Sequence, residues 1–586
     1  MKSRIFIAVL LAAIAGSAYA QEVDSLEATV FTARNEANYL SRGKELRTEV
    51  ISSAGLMKMA CCTLAESFEN SASVSVDYAD ATTGARQIRL LGLSGIYTQM
   101  LDENRPTMRG ILAPYGLSYV PGPWLESIQV GKGSPSVVNG TESITGSINV
   151  EHHKPTDGKP LFLNASIMDD TKADFNISSS LRLTDNLYTV LLGHADHNFR
   201  TYDMNTDGFA DEPQLTQVNV ANRWLWYSPE VQIRWGLRYV ADRRLGGQTA
   251  GPWKSDIANN LAGAYMKIGR ALGEGDESSI ALVADYTLQK TGSSFGNNAY
   301  DASQHSIFAN LIYRNAFSDE HELMAGVNAT ADMLLEDIAG GGQLLRGVRN
   351  RPVQIAPYAE YTYRNGERLA VIAGFSGTLI PGYGFYPVPR LTMRYQPAEP
   401  FIIRLNGGRG LRLTNPVADN IGILSTGKRL VGDLSQRLLE DAWTFGGNAT
   451  VYFGENSYFS VDYFQTRFAS ALLADREAAD AISLYSLDGH GAWSHNVQAD
   501  LSVEPFDRLT LTLTGRYTDA RVWQPSGEIR EIPLSPRMKA VLNAQYKIGA
   551  NRWIIDLTAS LNGSSRVYDF MKDLRGADGM LLYPEG

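Results

Sequence analysis

From about Leu161 onward, apolar and polar residues alternate at period two, the spacing of a strand whose two faces meet different surroundings. In Leu509-Thr510-Leu511-Thr512-Leu513-Thr514 every second residue is apolar and its neighbours are hydroxyls. Trp553, Ile555, Leu557, Ala559 and Leu561 fall on one face, with Asp556, Thr558 and Ser560 on the other. Ile280, Leu282, Ala284, Tyr286 and Leu288 oppose Ser279, Asp285 and Thr287, and Phe459, Val461 and Tyr463 oppose Ser460 and Asp462. About 19 or 20 segments of about 8–14 residues carry the pattern, the length a strand needs to cross a bilayer. Asn365-Gly366 and Gly454-Glu455-Asn456 read as tight turns, and residues 295–304, 335–351 and 413–440 as long polar loops. Short turns at one end and long loops at the other predict a transmembrane antiparallel β-barrel. A water-soluble sandwich has shorter strands and tighter connections, and a propeller would repeat every 40–50 residues or so, which this chain does not.

The first 154 residues differ. Lys2 and Arg4 precede an apolar stretch too short to span a bilayer, and Ala18-Tyr19-Ala20 is an A-x-A cleavage site, so residues 1–20 read as a secretory signal peptide. Beyond it no run of apolar residues is long enough for a membrane helix. Residues 21–154 show little sustained alternation. A barrel wider than about 16 strands leaves a lumen that becomes a pore or takes a plug, so the expected order is a tail at 21–42, an α+β plug at 43–154 and the barrel at 155–586. With 53 Lys+Arg against 63 Asp+Glu, the net charge of −10 lacks the basic footprint of a nucleic-acid binder. Two cysteines cannot make a disulfide framework.

Several stretches then resemble one family, the TonB-dependent outer-membrane receptors. Leu26-Glu27-Ala28-Thr29-Val30-Phe31-Thr32-Ala33 looks like a TonB box. Arg89-Leu90-Leu91-Gly92-Leu93 with Gln99-Met100-Leu101-Asp102-Glu103-Asn104-Arg105-Pro106 resembles the mid-plug pattern. Trp124-Leu125-Glu126-Ser127-Ile128-Gln129-Val130-Gly131-Lys132-Gly133, then Val138-Asn139-Gly140 and Ile144-Thr145-Gly146-Ser147-Ile148-Asn149-Val150, resembles the end of the plug. The wording, including Met57-Lys58-Met59-Ala60-Cys61-Cys62, is similar to receptors of the Bacteroidetes type. The resemblance implies a 22-stranded barrel in the cell outer membrane with the plug in its lumen. It implies import of a scarce extracellular metal chelate such as an iron siderophore, with the periplasmic TonB C-terminal domain as partner and no required cofactor or enzymatic activity. Energy would come from the inner membrane, where a unit charge crossing ~100 mV releases about 2.3 kcal/mol. The β-prone Thr29-Val30-Phe31-Thr32 suits strand addition to a partner's edge. Haem, cobalamin, copper-chelate and glycan cargo stay open, as does a passive porin, which would need an open lumen and no TonB box. The chain also departs from the family. Members end on an aromatic residue, whereas this chain ends Leu581-Leu582-Tyr583-Pro584-Glu585-Gly586, so its last two or three strands are expected to be missing. The start leaves no room for the extra N-terminal domain of many glycan importers.

Candidate sites follow. Plug residues Met108, Arg109, Tyr115 and Tyr119 offer charge and ring faces to an anionic or aromatic chelate. Asp203, Asn205, Asp207 and Asp211, with Gly208 at the sixth position, have the spacing of a calcium loop and make a structural Ca²⁺ site a candidate, although Gln214 stands where a bidentate Glu belongs. Met57, Met59, Cys61 and Cys62 are soft donors suited to Cu(I), but residues 56–68 read equally as a plug helix with Leu56, Ala60, Leu64 and Phe68 facing inward. His194 and His197 point to opposite faces of a strand and, with His152 and His153, read as non-ligands. Gly292-Ser293-Ser294-Phe295-Gly296 lacks the helix a nucleophile elbow needs, and Gly131-Lys132-Gly133-Ser134 lacks the first glycine of a phosphate loop.

Overall fold

The computed structural model describes residues 38–572, apart from 59–61, 69–70, 72, 79, 81, 157, 169–171, 273–276, 455–456, 488 and 550–552. The signal peptide, the TonB-box segment 26–33 and Cys61 lie outside the described residues. One 21-stranded antiparallel sheet runs from Phe162–Met168 to Trp553–Asn562. Gln343–Asn350 and Ile529–Glu531 are short flaps, because the strands flanking each also pair with one another. The other 19 strands form the wall, in line with the sequence pattern.

The wall is inside out relative to a water-soluble fold. On Gln214–Tyr227, Gln217 and Asn219 are buried while Val218 and Val220 are exposed. On Ser278–Phe295, Asp285, Thr287 and Gln289 are buried while Ile280, Leu282 and Tyr286 face outward. Exposed Leu, Ile, Val and aromatic side chains recur around the sheet. Such a surface is stable in lipid, where ladder pairing satisfies the backbone groups. No helix among the described residues is long and apolar enough to cross a membrane. Among the described residues no pairing joins the first wall strand to the last.

The lumen is filled by the N-terminal segment. Asn38–Leu40, Thr48–Ser52, Leu125–Lys132, Gly146–His152, Thr98–Asp102 and Arg105–Pro106 form a six-stranded sheet, and Val74–Tyr78, Arg86–Leu90 and Leu93–Ser94 a three-stranded one. Ile51, Leu64, Phe68, Leu90, Ile128 and Ile148 close a core between them. These strands are short, two to eight residues, which is why period-two alternation is faint here. Plug groups bond to wall strands around the circumference. Examples are Arg47 to Asp500, Ser136 to Glu360, Arg105 to Asp285 and Tyr119 to Asp242. The segment therefore sits inside the curled sheet.

Three expectations need correction. Residues 295–304 are not a long loop: Ser278–Phe295 and Asn298–Ala316 are joined by Gly296 and Asn297 alone, because Gly296 at φ +59° turns the chain tightly. Residues 335–351 are largely strand, a hairpin turning at Gly341 and Gly342, both at positive φ. Residues 56–68 are not one helix. A helix at Ser53–Lys58 and a 3-10 turn at Glu66–Phe68 are separated where Leu64 N–H donates to Val120 O and Gly122 N–H to Cys62 O. Leu56, Leu64 and Phe68 are nonetheless buried as expected. The loop at 414–438 and the tight turn after Asn365 match their sequence pattern.

Candidate functional site

Past Arg105–Pro106 the Thr107 N–H still donates to Met100 O, and then Met108 (φ +50°) and Gly110 (φ +81°) turn the plug chain back. A side chain at Gly110 would meet Gln304. The amides freed by this turn are taken up by the wall: Ile111 N–H donates to Gln304 Oε1 (3.1 Å) and Leu112 N–H to Gln289 Oε1 (2.9 Å), while Gln289 Nε2 donates to Arg109 O (2.8 Å). Two lumenal glutamines thus hold the loop in place.

The four sequence-predicted ligand residues divide into two pairs. Met108 and Arg109 line a cavity of about 130 Å³ between plug and wall, together with Glu142, Asp332, Arg412 and Arg437. Arg109 Nη2 lies 3.1 Å from Glu142 Oε1 and 3.4 Å from Asp332 Oδ2. Arg412 is held by Asp419 (2.5 Å) and Glu440 (2.8 Å). Tyr115 and Tyr119 are buried instead, at 3% and 8% exposure. The Tyr115 ring packs under the Arg244 guanidinium (4.7 Å), and Tyr119 Oη donates to Asp242 Oδ1 (2.8 Å). Burial pushes both phenols above their ordinary range.

Above this loop the long connections fold inward. Val417, Ala418, Ile421 and Leu430 from 414–438, with Ile482 and Leu484 from 471–491, join Ile111, Leu112 and Tyr115 in one apolar cluster. A second cavity of about 90 Å³ touches Asp102, Arg105, Met108, Tyr119 and Arg238. Sites for drug-sized ligands run to roughly 300–1,000 Å³. Neither space admits a bulky solute in this arrangement.

Below and beside the loop, plug and wall are held by buried ion pairs. Arg105 joins Asp102 (2.8 Å) and Asp285 (2.6 Å). Glu103 pairs with Arg223, and Lys267 lies 3.8 Å from its other oxygen. Burial alone would raise the Glu103 carboxyl, but Arg223 and Lys267 overcome it and hold it at about 2. Arg47 Nε lies 2.6 Å from Asp462 Oδ2 and its Nη2 2.7 Å from Asp500 Oδ2, while Lys132 Nζ lies 3.1 Å from the same Asp462 oxygen and donates to Gln498 (2.8 Å). Burial and the neighbouring Arg47 lower Lys132 to about 8. Lys132 is thus tied to the wall, consistent with reading Gly131–Ser134 as structural.

The remaining sequence candidates are placed as follows. In the loop at 203–211, Asp203 accepts from the amides of Asp207 and Gly208, Asp207 from Phe209, Asn205 from Asp207, and Asp211 from Met204. A calcium ion would have to compete with these amides. Cys62 is buried, and burial pushes its thiol up to about 11. Ser293 is mid-ladder, with a strand rather than a helix after it. His152 Nε2 lies 3.3 Å from Asp102 Oδ1. His194 does face away from His197, but strand register sets Asp174 opposite Asp196 and Asn176 opposite His194 on the same lumenal face. Spacing along one strand could not reveal that group. Sequence reading likewise missed the lumenal Gln289 and Gln304, which looked like any other polar position of an alternating strand.

No protein-family model matches the sequence, and a comparison with curated proteins finds no match. Solved structures do match in fold. The siderophore receptor PirA from Pseudomonas aeruginosa aligns with a TM-score of 0.64 at 14% identity over 88% of this chain and 90% of that one. The ferric enterobactin receptor PfeA from the same organism gives 0.68 at 12% identity, covering 88% and 85%. The alcaligin outer-membrane receptor FauA from Bordetella pertussis gives 0.66 at 12%, covering 89% and 88%. The chain shares the architecture of these receptors, a barrel around a plug, across nearly the length of each.

Proposed function

We propose that this protein is a TonB-dependent outer-membrane receptor that imports a metal chelate, most simply an iron siderophore. The observation that carries the reading is the filled lumen: among the described residues, plug groups reach carboxylates of wall strands around the barrel. A passive porin has no use for such a filling. Passage requires the plug to rearrange, and rearranging buried ion pairs requires work delivered from elsewhere. The segment 26–33 is the coupling element in this reading, added as a strand to the periplasmic TonB domain.

The cargo end is the loop around Arg109. Arg109, Arg412 and Arg437 converge at one cavity, with carboxylates now occupying two of the three. An anionic chelate would exchange with those carboxylates once the apolar cover from 414–438 lifts. Ligands named for the structural neighbours, enterobactin and alcaligin, make siderophores the first class to test. The test is growth of an iron-starved deletion strain, carrying the full gene or one lacking residues 24–33, on single defined siderophores. One siderophore should restore growth with the full chain and fail without 24–33. Equal growth with both alleles would replace this reading by diffusion.

A further inference from the structure

We propose that Asp174, His194 and Asp196 form a divalent-cation site on the lumenal face of the second and third wall strands, separate from the chelate cavity. The strands Lys172–Thr184 and Leu187–Asn198 pair in a register that sets Asp174 opposite Asp196 and Asn176 opposite His194. All four side chains point inward and are at least nine-tenths buried. One donor atom from each of Asp174, His194 and Asp196 lies within 4.8 Å of the other two, and no other such group of three occurs among the described residues.

The hydrogen bonding prepares the group for a metal. Asn176 Nδ2 donates to Asp174 Oδ1 (2.5 Å), which turns its Oδ1 toward the imidazole 3.0 Å from His194 Nδ1. An acceptor there fixes the proton on Nδ1 and leaves Nε2 with a free lone pair. His194 Nε2 has no hydrogen-bond partner and stands 3.9 Å from Asp196 Oδ1, which also has none. Asp174 Oδ2 likewise accepts no hydrogen bond, although His194 Nδ1 stands 3.4 Å from it. A buried imidazole nitrogen and two buried carboxylate oxygens left unsatisfied are costly unless something binds them. Lys172, 3.1 Å from Asp196 Oδ2, offsets one charge only. One nitrogen and two carboxylates suit a first-row divalent ion such as zinc, with water completing the shell. Beside the site stands Ser166, opposite Asp174 in the ladder and 3.8 Å from the plug's Cys62 thiol, so the ion would brace the start of the wall where the plug touches it.

The experiment uses the full chain in detergent, stripped with EDTA and titrated calorimetrically with zinc ion. One equivalent should bind, and Asp196→Asn and His194→Gln should each weaken it at least tenfold while keeping the heat-modifiable migration of a folded barrel. Cobalt-substituted wild-type protein should show the visible bands of a low-coordinate nitrogen–oxygen site, a readout that does not depend on any variant folding. No zinc uptake by the wild type, binding unchanged in both folded variants, or a cobalt spectrum like that of the free aqueous ion would each overturn the proposal. None of these readouts involves siderophore uptake, so they stand or fall apart from the transport reading.

Discussion

Asp462 is a wall carboxylate on which two buried plug cations converge, Arg47 at 2.6 Å and Lys132 at 3.1 Å. Arg47 is 4% exposed and Lys132 fully buried. At about 3 Å and an effective dielectric near 20, each attraction is worth about 5 kcal/mol before desolvation is subtracted. Replacing the carboxylate by an amide of the same shape leaves two cations facing Asp500. Breaking a buried pair from one side costs about 3–5 kcal/mol. The remaining carboxylate puts Asp462→Asn near the lower end, about 3 kcal/mol. With a urea m-value of roughly 1–2 kcal/mol per molar for a unit of plug size, the midpoint for plug release should fall by about 2 M. Pulse proteolysis in urea reads this directly, because a released plug is cut while the barrel band survives. The pH dependence carries a second check. Lys132 titrates near 8 in the folded protein against an ordinary 10.5, so the folded state holds fewer protons between those values and plug retention should strengthen as pH rises from 8 towards 10. A midpoint shift under about 0.5 M would show that the pairs add nothing net to plug seating, and the argument from them would fail.

Other perturbations test other parts of the account. Glu103, held at about 2 by Arg223 and Lys267 against an ordinary 4.5, contributes stability that is complete above pH 4.5 and lost as pH falls towards 2; plug release measured across that window should steepen in the wild type and flatten in Glu103→Gln. On the outer surface, Leu237 is 64% exposed midway along Val231–Gly247. Leu237→Arg should cost about 2–4 kcal/mol in lipid and reduce the heat-modifiable fraction, whereas an unchanged yield would argue that this face meets water.

The barrel was legible because lipid outside and polar plug inside impose opposite demands on successive residues, as at Val218-Asn219-Val220. The pattern failed where that contrast ends. Around 295–304 the strands continue, but Asp301 is exposed and Gln304 serves the plug, so polar residues fall on both faces and the segment reads as loop. The plug is harder still. Arg109 looked like a ligand residue and does line the cavity, yet Tyr115 and Tyr119 are packed against Arg244 and Asp242, contacts spanning more than a hundred residues that no local window contains. His194 makes the same point: its partners come from the next strand, and only register reveals them.

The central claim is that the plug sits in the lumen and must move for cargo to pass. Ser134 and Asn406 exchange two hydrogen bonds across the plug–wall boundary, at 2.5 and 2.7 Å. With Cys61 and Cys62 replaced by serine, Ser134→Cys and Asn406→Cys should be bridged within one chain by a short thiol-specific cross-linker in intact outer membranes, and bridging should abolish uptake of the cognate chelate. Failure of the bridge to form, or full uptake through a bridged receptor, would contradict the account.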